Sequence, residues 1–329
     1  MTKYKAYVVS DLDGKFEGRI EEKELFELSE GDVDVRVQYS SLNFKDALSN
    51  AGNKGVTRSY PHTPGIDAVG IVERSNSKEF NVGDAVLVTG YDLGMNTNGG
   101  FGERICVPDH WLIQLPKGLK AIEAMAWGTA GLTAALCVKA VTEKVPKGKV
   151  LVSGSTGGVG SIAIMLLAKL GYEVVALTRK TQLSDQLKSL GASEVIDLQE
   201  FLDQPSKPML NPIYQAAIDV AGGETLATML KQIDYQGVVA CCGLVDSPSF
   251  ESSIFPFILR GVTLRGIDSV ELSVSEKESI WLNIAGDWRL PSLLDHCSVI
   301  NKEQLSEKLK LILEGKAVGR YILEHDSEG

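Results

Sequence analysis

The stretch VLVSGSTGGVG, at residues 150–160, decides the fold. It lies between a short β-rich run, Lys149–Ser153, and a segment with helical periodicity, Val159–Leu170. On the G-x-G-x-x-G template a serine replaces the first glycine, while Gly157 and Gly160 stand at the second and third positions. Gly157 lets the backbone approach a pyrophosphate, Gly160 lets the helix pack on the strand, and the helix N-terminus offers unpaired N–H groups. The stretch therefore predicts a dinucleotide-binding turn.

The residues expected to contact the cofactor in this turn are Thr156, Gly157, Gly158, Val159 and Gly160. The alternative is a structural glycine turn in another α/β fold.

The end of the next strand indicates which dinucleotide is bound. Thr178, Arg179 and Lys180 stand there, where an NAD enzyme places a carboxylate for the ribose 2′-hydroxyl. Two cations and a hydroxyl suit a 2′-phosphate, so the sequence predicts NADPH. The alternative is a solvated basic turn.

Strand and helix runs alternate through the middle of the chain, which is typical of a parallel sheet with right-handed crossovers. After the glycine turn we expect strands at 172–177, 195–197, 216–220, 238–242 and 262–266, and helices at 184–190 and 224–233. The first third instead holds short β-rich runs of a compact barrel or open sheet, at 6–10, 33–40, 68–74, 85–90 and 104–108. The tail adds an amphipathic helix at 305–313 and a strand at 321–323 that rejoins the first domain.

Length and composition set broad limits on the function. The 329 residues suggest about two domains. Lys and Arg number 33 against 43 Asp and Glu, giving a net charge of −10, the opposite of what a broad nucleic-acid surface needs. The five cysteines form no C-x-x-C, the N-terminus lacks a signal peptide's apolar run, and no apolar stretch approaches the ~20 residues of a membrane span. We expect a cytoplasmic protein without nucleic-acid or membrane partners.

Several strings spread along the chain carry a family resemblance: SSLNFKD at 40–46, PGID at 64–67, VGDAV at 82–86, GTAGLTA at 128–134 and PFILRGV at 256–262. With the glycine turn, they make nearly the whole chain resemble the zinc-free quinone oxidoreductase branch of the medium-chain dehydrogenase/reductase superfamily, most closely the acryloyl-coenzyme A reductase group. The resemblance implies an α/β protein with a GroES-like β-rich domain at residues 1–122 and 269–329. It implies a Rossmann doubly wound parallel sheet that binds NADPH at residues 123–268, and a C-terminal tail that returns to the first domain.

The related zinc alcohol dehydrogenases have Cys where Asn43 stands and Gly-His-Glu where Gly65, Ile66 and Asp67 stand. Zinc prefers nitrogen and sulfur donors. We therefore expect no metal.

The resemblance implies that NADPH delivers hydride to an activated carbon–carbon double bond in the cleft between the domains, where fixed donors must stabilise charge on the carbonyl oxygen. The family turns residues 43–46 toward the nicotinamide. Asn43 is expected to donate to the carbonyl or the cofactor, or else to cap the next helix as an Asx turn. Asp46 is expected to orient Lys45 or a ribose hydroxyl, or else to be a surface acid at a helix start. Phe44 can stack on the cofactor but, unlike the tyrosine of related quinone reductases, cannot donate a proton.

Matching family regions add Gly243, Leu244, Ile258, Asp268 and Ser269 to the cofactor site, although Leu244 and Ile258 equally suit a hydrophobic core. The segment NTNGGFG, at residues 96–102, is expected to be a loop that closes over the substrate, with Phe101 as an apolar wall. The alternative is a turn whose Phe101 fills a local core.

These features favour an NADPH-dependent reductase of activated C=C bonds, whose small-molecule substrate is first of all an α,β-unsaturated acyl-coenzyme A. Alternatives are an NADPH:quinone oxidoreductase and a non-enzymatic dinucleotide-binding protein. The apolar segment Ile254–Leu259 precedes the last sheet strand, Val262–Gly266. An exposed edge this apolar should pair with its copy, so we expect a homodimer.

Overall fold

The computed structural model describes residues 3–326 of the chain. Its strands are β1 (Lys3–Leu12), β2 (Lys15–Glu24), β3 (Asp32–Ser41), β4 (Asp67–Ser75), β5 (Ala85–Thr89), β6 (Arg104–Pro108), β7 (Ile113–Gln114), β8 (Lys149–Val152), β9 (Glu173–Thr178), β10 (Glu194–Asp197), β11 (Tyr214–Asp219), β12 (Ile233–Cys241), β13 (Thr263–Gly266), β14 (Cys297–Ile300) and β15 (Arg320–Glu324). Its α-helices are α1 (Phe44–Asn50), α2 (Ala121–Lys144), α3 (Gly158–Lys169), α4 (Ser184–Ser189), α5 (Leu198–Leu202), α6 (Gly223–Gln232), α7 (Phe255–Arg260), α8 (Val274–Ala285) and α9 (Leu305–Leu313).

The chain forms two compact units. The first comprises residues 1–129 and 270–329, and the second comprises residues 130–269. The boundary between the two units therefore falls inside α2, after Thr129. The preceding residue, Gly128, has a non-helical backbone with φ 51° and ψ −158°. The sequence placed this division after residue 122, about two helical turns earlier.

The second unit is a sheet of six strands in the order β10-β9-β8-β11-β12-β13. Every neighbouring pair is parallel. The strand order reverses between β8 and β11, and doubly wound sheets bind nucleotides at such a switch point. A buried apolar cluster that includes Leu151, Val175 and Met229 packs on the sheet. The doubly wound fold is thus confirmed, and β13 is an edge strand.

The first unit holds a two-stranded antiparallel sheet, β1-β2, and a seven-stranded sheet, β14-β15-β3-β4-β5-β7, in which β6 also pairs with β3. Strand β15, from the end of the chain, runs antiparallel to β3. The expected return of the tail to the first domain is therefore confirmed. The buried carboxylate of Asp34 fastens β3, β4 and β6, because it accepts hydrogen bonds from Arg74 at 2.6 Å and from Arg104 at 2.7 and 3.0 Å.

The glycine-rich segment at 96–102 packs into the first unit. Gly99, Gly100 and Phe101 donate backbone hydrogen bonds to the carbonyls of residues 63–65. Phe101 is fully buried in a cluster with Tyr7 and Leu42. The expectation that Phe101 forms a wall over the substrate is therefore wrong. The alternative holds, in which this side chain fills a local core.

Helix α2 has 24 residues and is long and apolar enough, by length and composition, to cross a membrane. The expectation that the chain has no such stretch is therefore wrong. Of its most apolar window, 72% is buried inside the protein, which is the situation of a core helix. The helical backbone is also interrupted at Gly128.

Candidate functional site

The glycine turn of the second unit leads from β8 into α3. Gly157 is the N-cap of α3, and no side chain caps this helix end. The first N–H groups of a helix have no partner inside the helix, so those at 158–160 face outward as anion donors. A Cβ atom at Gly160 would lie 2.8 Å from the carbonyl carbon of Gly154 and 2.9 Å from Cα of Ser155. Glycine is thus required where the helix packs against the turn, and the residues present fit a dinucleotide pyrophosphate.

The end of β9 carries the basic pair expected for a 2′-phosphate. Thr178 is buried, and its Oγ1 accepts a hydrogen bond from the backbone N–H of Lys180 at 2.9 Å, which shapes the turn. The Arg179 side chain is exposed and has no hydrogen bond or ion pair with residues 3–326. Burial and the neighbouring charge of Arg179 lower the pKa of Lys180. Two adjacent cations repel each other, and a bound phosphate would relieve that repulsion.

A buried carboxylate that the sequence analysis missed lies at the C-terminal end of β11. Asp219 accepts hydrogen bonds from Ser153 Oγ at 2.8 Å and from the backbone N–H of Gly222 at 2.9 Å. Burial raises its pKa. Because Ser153 directly follows β8, this hydrogen bond links the C-terminal ends of β8 and β11, the two strands at the switch point. In the sequence, the position of Asp219 is indicated only by an acidic residue at the end of an apolar strand.

The first unit is organised around the buried carboxylate of Asp67, at the start of β4. This carboxylate accepts hydrogen bonds from Ser41 Oγ at 2.5 Å, Asn43 Nδ2 at 2.8 Å, and both the backbone N–H and Oγ1 of Thr129 at 2.9 and 2.5 Å. One side chain thereby joins the end of β3, the loop before α1 and the middle of α2.

Arg320, the first residue of β15, supplies the opposite charge and is also buried. It donates to Ser41 Oγ at 2.8 Å, Asn43 Oδ1 at 3.2 Å and the carbonyls of Leu42 and Ala126 at 3.1 and 3.2 Å. Burial lowers its pKa, while Asp67 acts in the opposite direction. Ser41 and Asn43 link Arg320 to Asp67. Leaving one of two buried opposite charges without the other typically costs about 3–5 kcal/mol. No local pattern in the sequence points to Arg320, because its partners lie far away along the chain.

The amide of Asn43 is fully used by this network. Arg320 can only donate, so it fixes Oδ1 as the acceptor and turns Nδ2 toward Asp67 and the carbonyl of Ser41, which lies at 3.2 Å. Both amide hydrogens are therefore committed inside the protein. The expected donation from Asn43 to a substrate carbonyl does not fit this geometry, and Asn43 is a positioning residue.

Asp46 also does not have the role that the sequence predicted. It is fully buried, and its oxygens accept hydrogen bonds from the backbone N–H groups of Asn43 at 2.7 Å, Gly65 at 3.1 Å and Ile66 at 2.9 Å. Burial, with a smaller contribution from Asp67, raises its pKa to about 7. The prediction that Asp46 orients Lys45 or a ribose hydroxyl is wrong, and so is the surface alternative. Asp46 caps α1 and fixes the 65–66 segment to it.

Lys45, in the same loop, has hydrogen-bond donors that remain available to a ligand. Its side chain is partly exposed in the first turn of α1 and has no hydrogen bond or ion pair with residues 3–326. Phe44, beside it, is partly exposed as well. These two side chains can meet a ligand, while Asn43 and Asp46 hold the loop that presents them.

The remaining expected cofactor residues differ in exposure. Leu244 and Ile258 are 58% and 65% exposed, so their alternative role as core residues is wrong. Gly243 is partly exposed and Asp268 is exposed. Ser269 is buried, and its Oγ shares a hydrogen bond of 2.7 Å with Thr133 Oγ1 of α2. Its hydroxyl therefore anchors the end of the second unit to α2.

Among residues 3–326, no group of three or more His, Cys, Asp or Glu side chains is arranged to hold a metal ion.

Comparisons with known proteins match both units to described families. Residues 158–281 match the zinc-binding dehydrogenase family, and residues 29–117 match the alcohol dehydrogenase GroES-like domain.

Two relatives are similar over nearly the whole chain. A putative quinone oxidoreductase of Bacillus subtilis is 41% identical over 91% of this chain and 92% of its own length. An acrylyl-CoA reductase of Ruegeria pomeroyi is 38% identical over 94% of this chain and 95% of its own length.

Solved structures agree with these relationships. The YhdH oxidoreductase of Salmonella enterica, in complex with NADP, has a TM-score of 0.93 and 37% identity over 98% of this chain and 100% of that one. The YhfP protein of Bacillus subtilis, with NAD bound, has a TM-score of 0.94 and 38% identity over 99% of this chain and 100% of that one. By sequence and by fold, this chain is a member of the medium-chain dehydrogenase/reductase superfamily.

Proposed function

We propose that this protein is an NADPH-dependent reductase of activated carbon–carbon double bonds, acting on an α,β-unsaturated acyl-coenzyme A. The observation that carries the proposal is the exposed Arg179 beside Lys180 at the end of β9, next to the open N-terminus of α3. A dinucleotide with a 2′-phosphate matches both features. The crystallised relative that holds NADP supports this choice, although another relative holds NAD.

NADPH, when bound, supplies a hydride. The residues of this chain must then stabilise the negative charge that develops on the substrate's carbonyl oxygen. Lys45 has three donors and a positive charge at the start of α1, and it is held by a loop that Asn43 and Asp46 fix. We assign charge stabilisation to Lys45 and contact with the nicotinamide to Phe44.

The substrate class rests on the relatives. An acrylyl-CoA reductase and a putative quinone oxidoreductase are both similar to this chain over most of its length. An enone, an enoyl thioester and a quinone all place charge on a carbonyl oxygen after hydride addition, so Lys45 would serve each of them. The quinone remains the second candidate for this reason.

The reaction proposed here uses no zinc. A zinc relative has Cys where Asn43 stands and His where Ile66 stands. The Asn43 amide is bound to Asp67 and Arg320, and the Ile66 side chain has no donor atom. Neither residue can replace the zinc ligands of that branch.

A homodimer is the proposed assembly. β13 is an edge strand, and the helix before it exposes the apolar side chains of Ile254, Phe255, Ile258 and Leu259 by 64, 42, 65 and 59%. An exposed edge beside such a patch favours association, and a second copy offers the same surface across a two-fold axis.

The substrate is tested by NADPH oxidation with acryloyl- and crotonyl-coenzyme A, a benzoquinone and a simple enone. We expect the highest kcat/KM with acryloyl-coenzyme A, and the same activity after prolonged chelation, with no stoichiometric zinc by elemental analysis. Turnover of the quinone alone would establish the second candidate. Absence of turnover with all four compounds would favour a non-enzymatic dinucleotide-binding protein.

Cofactor choice is tested with Arg179→Ala. Loss of a charge-assisted contact with the 2′-phosphate should raise the KM for NADPH roughly tenfold or more, while the KM for NADH changes little. Lys207→Ala removes an exposed cation from the same unit and should change neither. Equal effects of Arg179→Ala on both cofactors would contradict the assignment.

The role of Lys45 is tested with Lys45→Met and Lys45→Arg. Removing one stabilising donor should lower kcat roughly a hundredfold in Lys45→Met, with NADPH affinity and thermal stability unchanged, and Lys45→Arg should recover part of the loss. Asn43→Ala, in contrast, should lower the melting temperature as well as kcat. Full turnover of Lys45→Met would show that the donors come from elsewhere.

The dimer is tested with Leu259→Glu, which places a charge in the exposed patch beside β13. Light scattering should report a dimer for the unmodified protein at micromolar concentration and a shift toward monomer for this variant. Leu282→Glu is the matched control, because Leu282 is 64% exposed on α8 of the first unit. A monomeric unmodified protein would rule out the assembly.

A further inference from the structure

A pocket of about 430 Å³ opens in the first unit and is lined by Arg58, Ser59, Asp92 and Asn96. Its volume lies in the range of small-molecule sites. The Arg58 side chain is exposed and has no hydrogen bond or ion pair with residues 3–326. An unpaired guanidinium in a polar pocket is a ready ligand for a phosphate or carboxylate.

Two hydrogen bonds hold the backbone that leads into Arg58. Its N–H donates to Asn96 Oδ1 at 3.2 Å, and the preceding residue, Thr57, shares a hydrogen bond of 2.7 Å with Ser49 of α1. Lys45 lies one helical turn before Ser49, ~6 Å along the helix axis. The pocket therefore borders the helix that presents the proposed catalytic lysine.

The charges around the pocket favour an anion. Lys54 adds a second cation: its Nζ lies 3.5 Å from the carbonyl oxygen of Arg58 and 4.6 Å from the ring centroid of Tyr60. The one acid of the lining, Asp92, is already engaged, because its oxygens accept hydrogen bonds from Asn96 Nδ2 at 2.8 Å and Thr97 Oγ1 at 3.0 Å. Arg58 and Lys54 outnumber this one carboxylate, so the net charge at the pocket is positive.

We propose that this pocket binds a phosphate group of a phosphorylated pantetheine thioester, with Arg58 as its principal ligand and Lys54 as a supporting charge. The inference rests on the proposed function and deepens it, because it names the part of the substrate that separates an acyl-coenzyme A from a quinone or a simple enone. A neutral quinone has no anionic group for Arg58, whereas coenzyme A carries phosphates at the end of a flexible pantetheine arm.

The experiment compares three thioesters of acrylate: acryloyl-coenzyme A, acryloyl-4′-phosphopantetheine and acryloyl-pantetheine, which has no phosphate. Arg58→Gln should lower kcat/KM for acryloyl-coenzyme A roughly tenfold through KM, and leave acryloyl-pantetheine unchanged. The 4′-phosphopantetheine thioester shows which phosphate of coenzyme A contacts Arg58. A loss with this compound assigns Arg58 to the phosphate that coenzyme A shares with acyl carrier proteins, and no loss assigns it to the nucleotide phosphates.

Lys78→Gln is the matched control. β4 begins at Asp67, which pairs with Thr89 just before the pocket residues Asp92 and Asn96, whereas Lys78 follows the opposite end of β4, ~25 Å away along the strand. This exposed lysine should leave all three thioesters unaffected. Equal losses with acryloyl-coenzyme A and acryloyl-pantetheine in Arg58→Gln, or no loss with either phosphorylated thioester, would overturn the phosphate site.

Calorimetric binding of free coenzyme A separates this inference from the proposed reaction. Binding that weakens roughly tenfold in Arg58→Gln and is unchanged in Lys78→Gln supports the pocket even if no thioester is reduced. Equal binding by the unmodified protein and Arg58→Gln overturns it even if acryloyl-coenzyme A proves to be the substrate.

Discussion

The first unit depends on the buried pairing of the Asp67 network with the Arg320 guanidinium. Taking two charges out of water is costly, and the cost is offset only where hydrogen bonds satisfy nearly every donor and acceptor. Here Ser41 and Asn43 bond to both charged groups. The network admits no extra atom: a Cβ at Gly128 would lie 2.6 Å from Asp67 Oδ2 and 2.8 Å from Arg320. Glycine is therefore required at the break in α2.

The network decides which groups of the 43–46 loop are available for chemistry. Asn43 and Asp46 are the polar residues that a reader of the sequence would choose, yet the structure commits their atoms to Asp67, Arg320 and backbone N–H groups. A second buried carboxylate close to Asp67 is disfavoured as an anion, which agrees with the raised pKa of Asp46. The loop is thereby rigid, and rigidity is what a donor such as Lys45 needs if it is to meet developing charge without reorganisation.

The parts of the fold that the sequence predicted are local. The glycine turn, the basic pair at the end of β9 and the βα alternation each follow from residues adjacent in the chain. Their boundaries agree within two residues, except that β12 begins at Ile233, five residues before the predicted start. The role of Arg320 could not be predicted from neighbouring residues, because its hydrogen bond to Asn43 joins positions 277 residues apart. The boundary at Ile233 was misassigned to a helix: α6 ends at Gln232 and β12 begins directly there, with no turn residue between them. The pocket at Arg58 was also missed, since it forms only when residues 58–59 and 92–96 meet.

The charge distribution suggests how an acidic protein selects phosphorylated ligands. With a net charge of −10 the chain as a whole repels polyanions, and this repulsion acts at long range at low salt. Two local pairs of cations, Arg179 with Lys180 and Arg58 with Lys54, act only over the Debye length of ~8 Å at physiological salt. A ligand benefits from them only if its phosphates enter these positions. At the proposed sites, NADPH and an acyl-coenzyme A would place their phosphates against these pairs. Selectivity of this kind needs two short basic clusters on an acidic surface, and a basic protein with the same pocket residues would lose it.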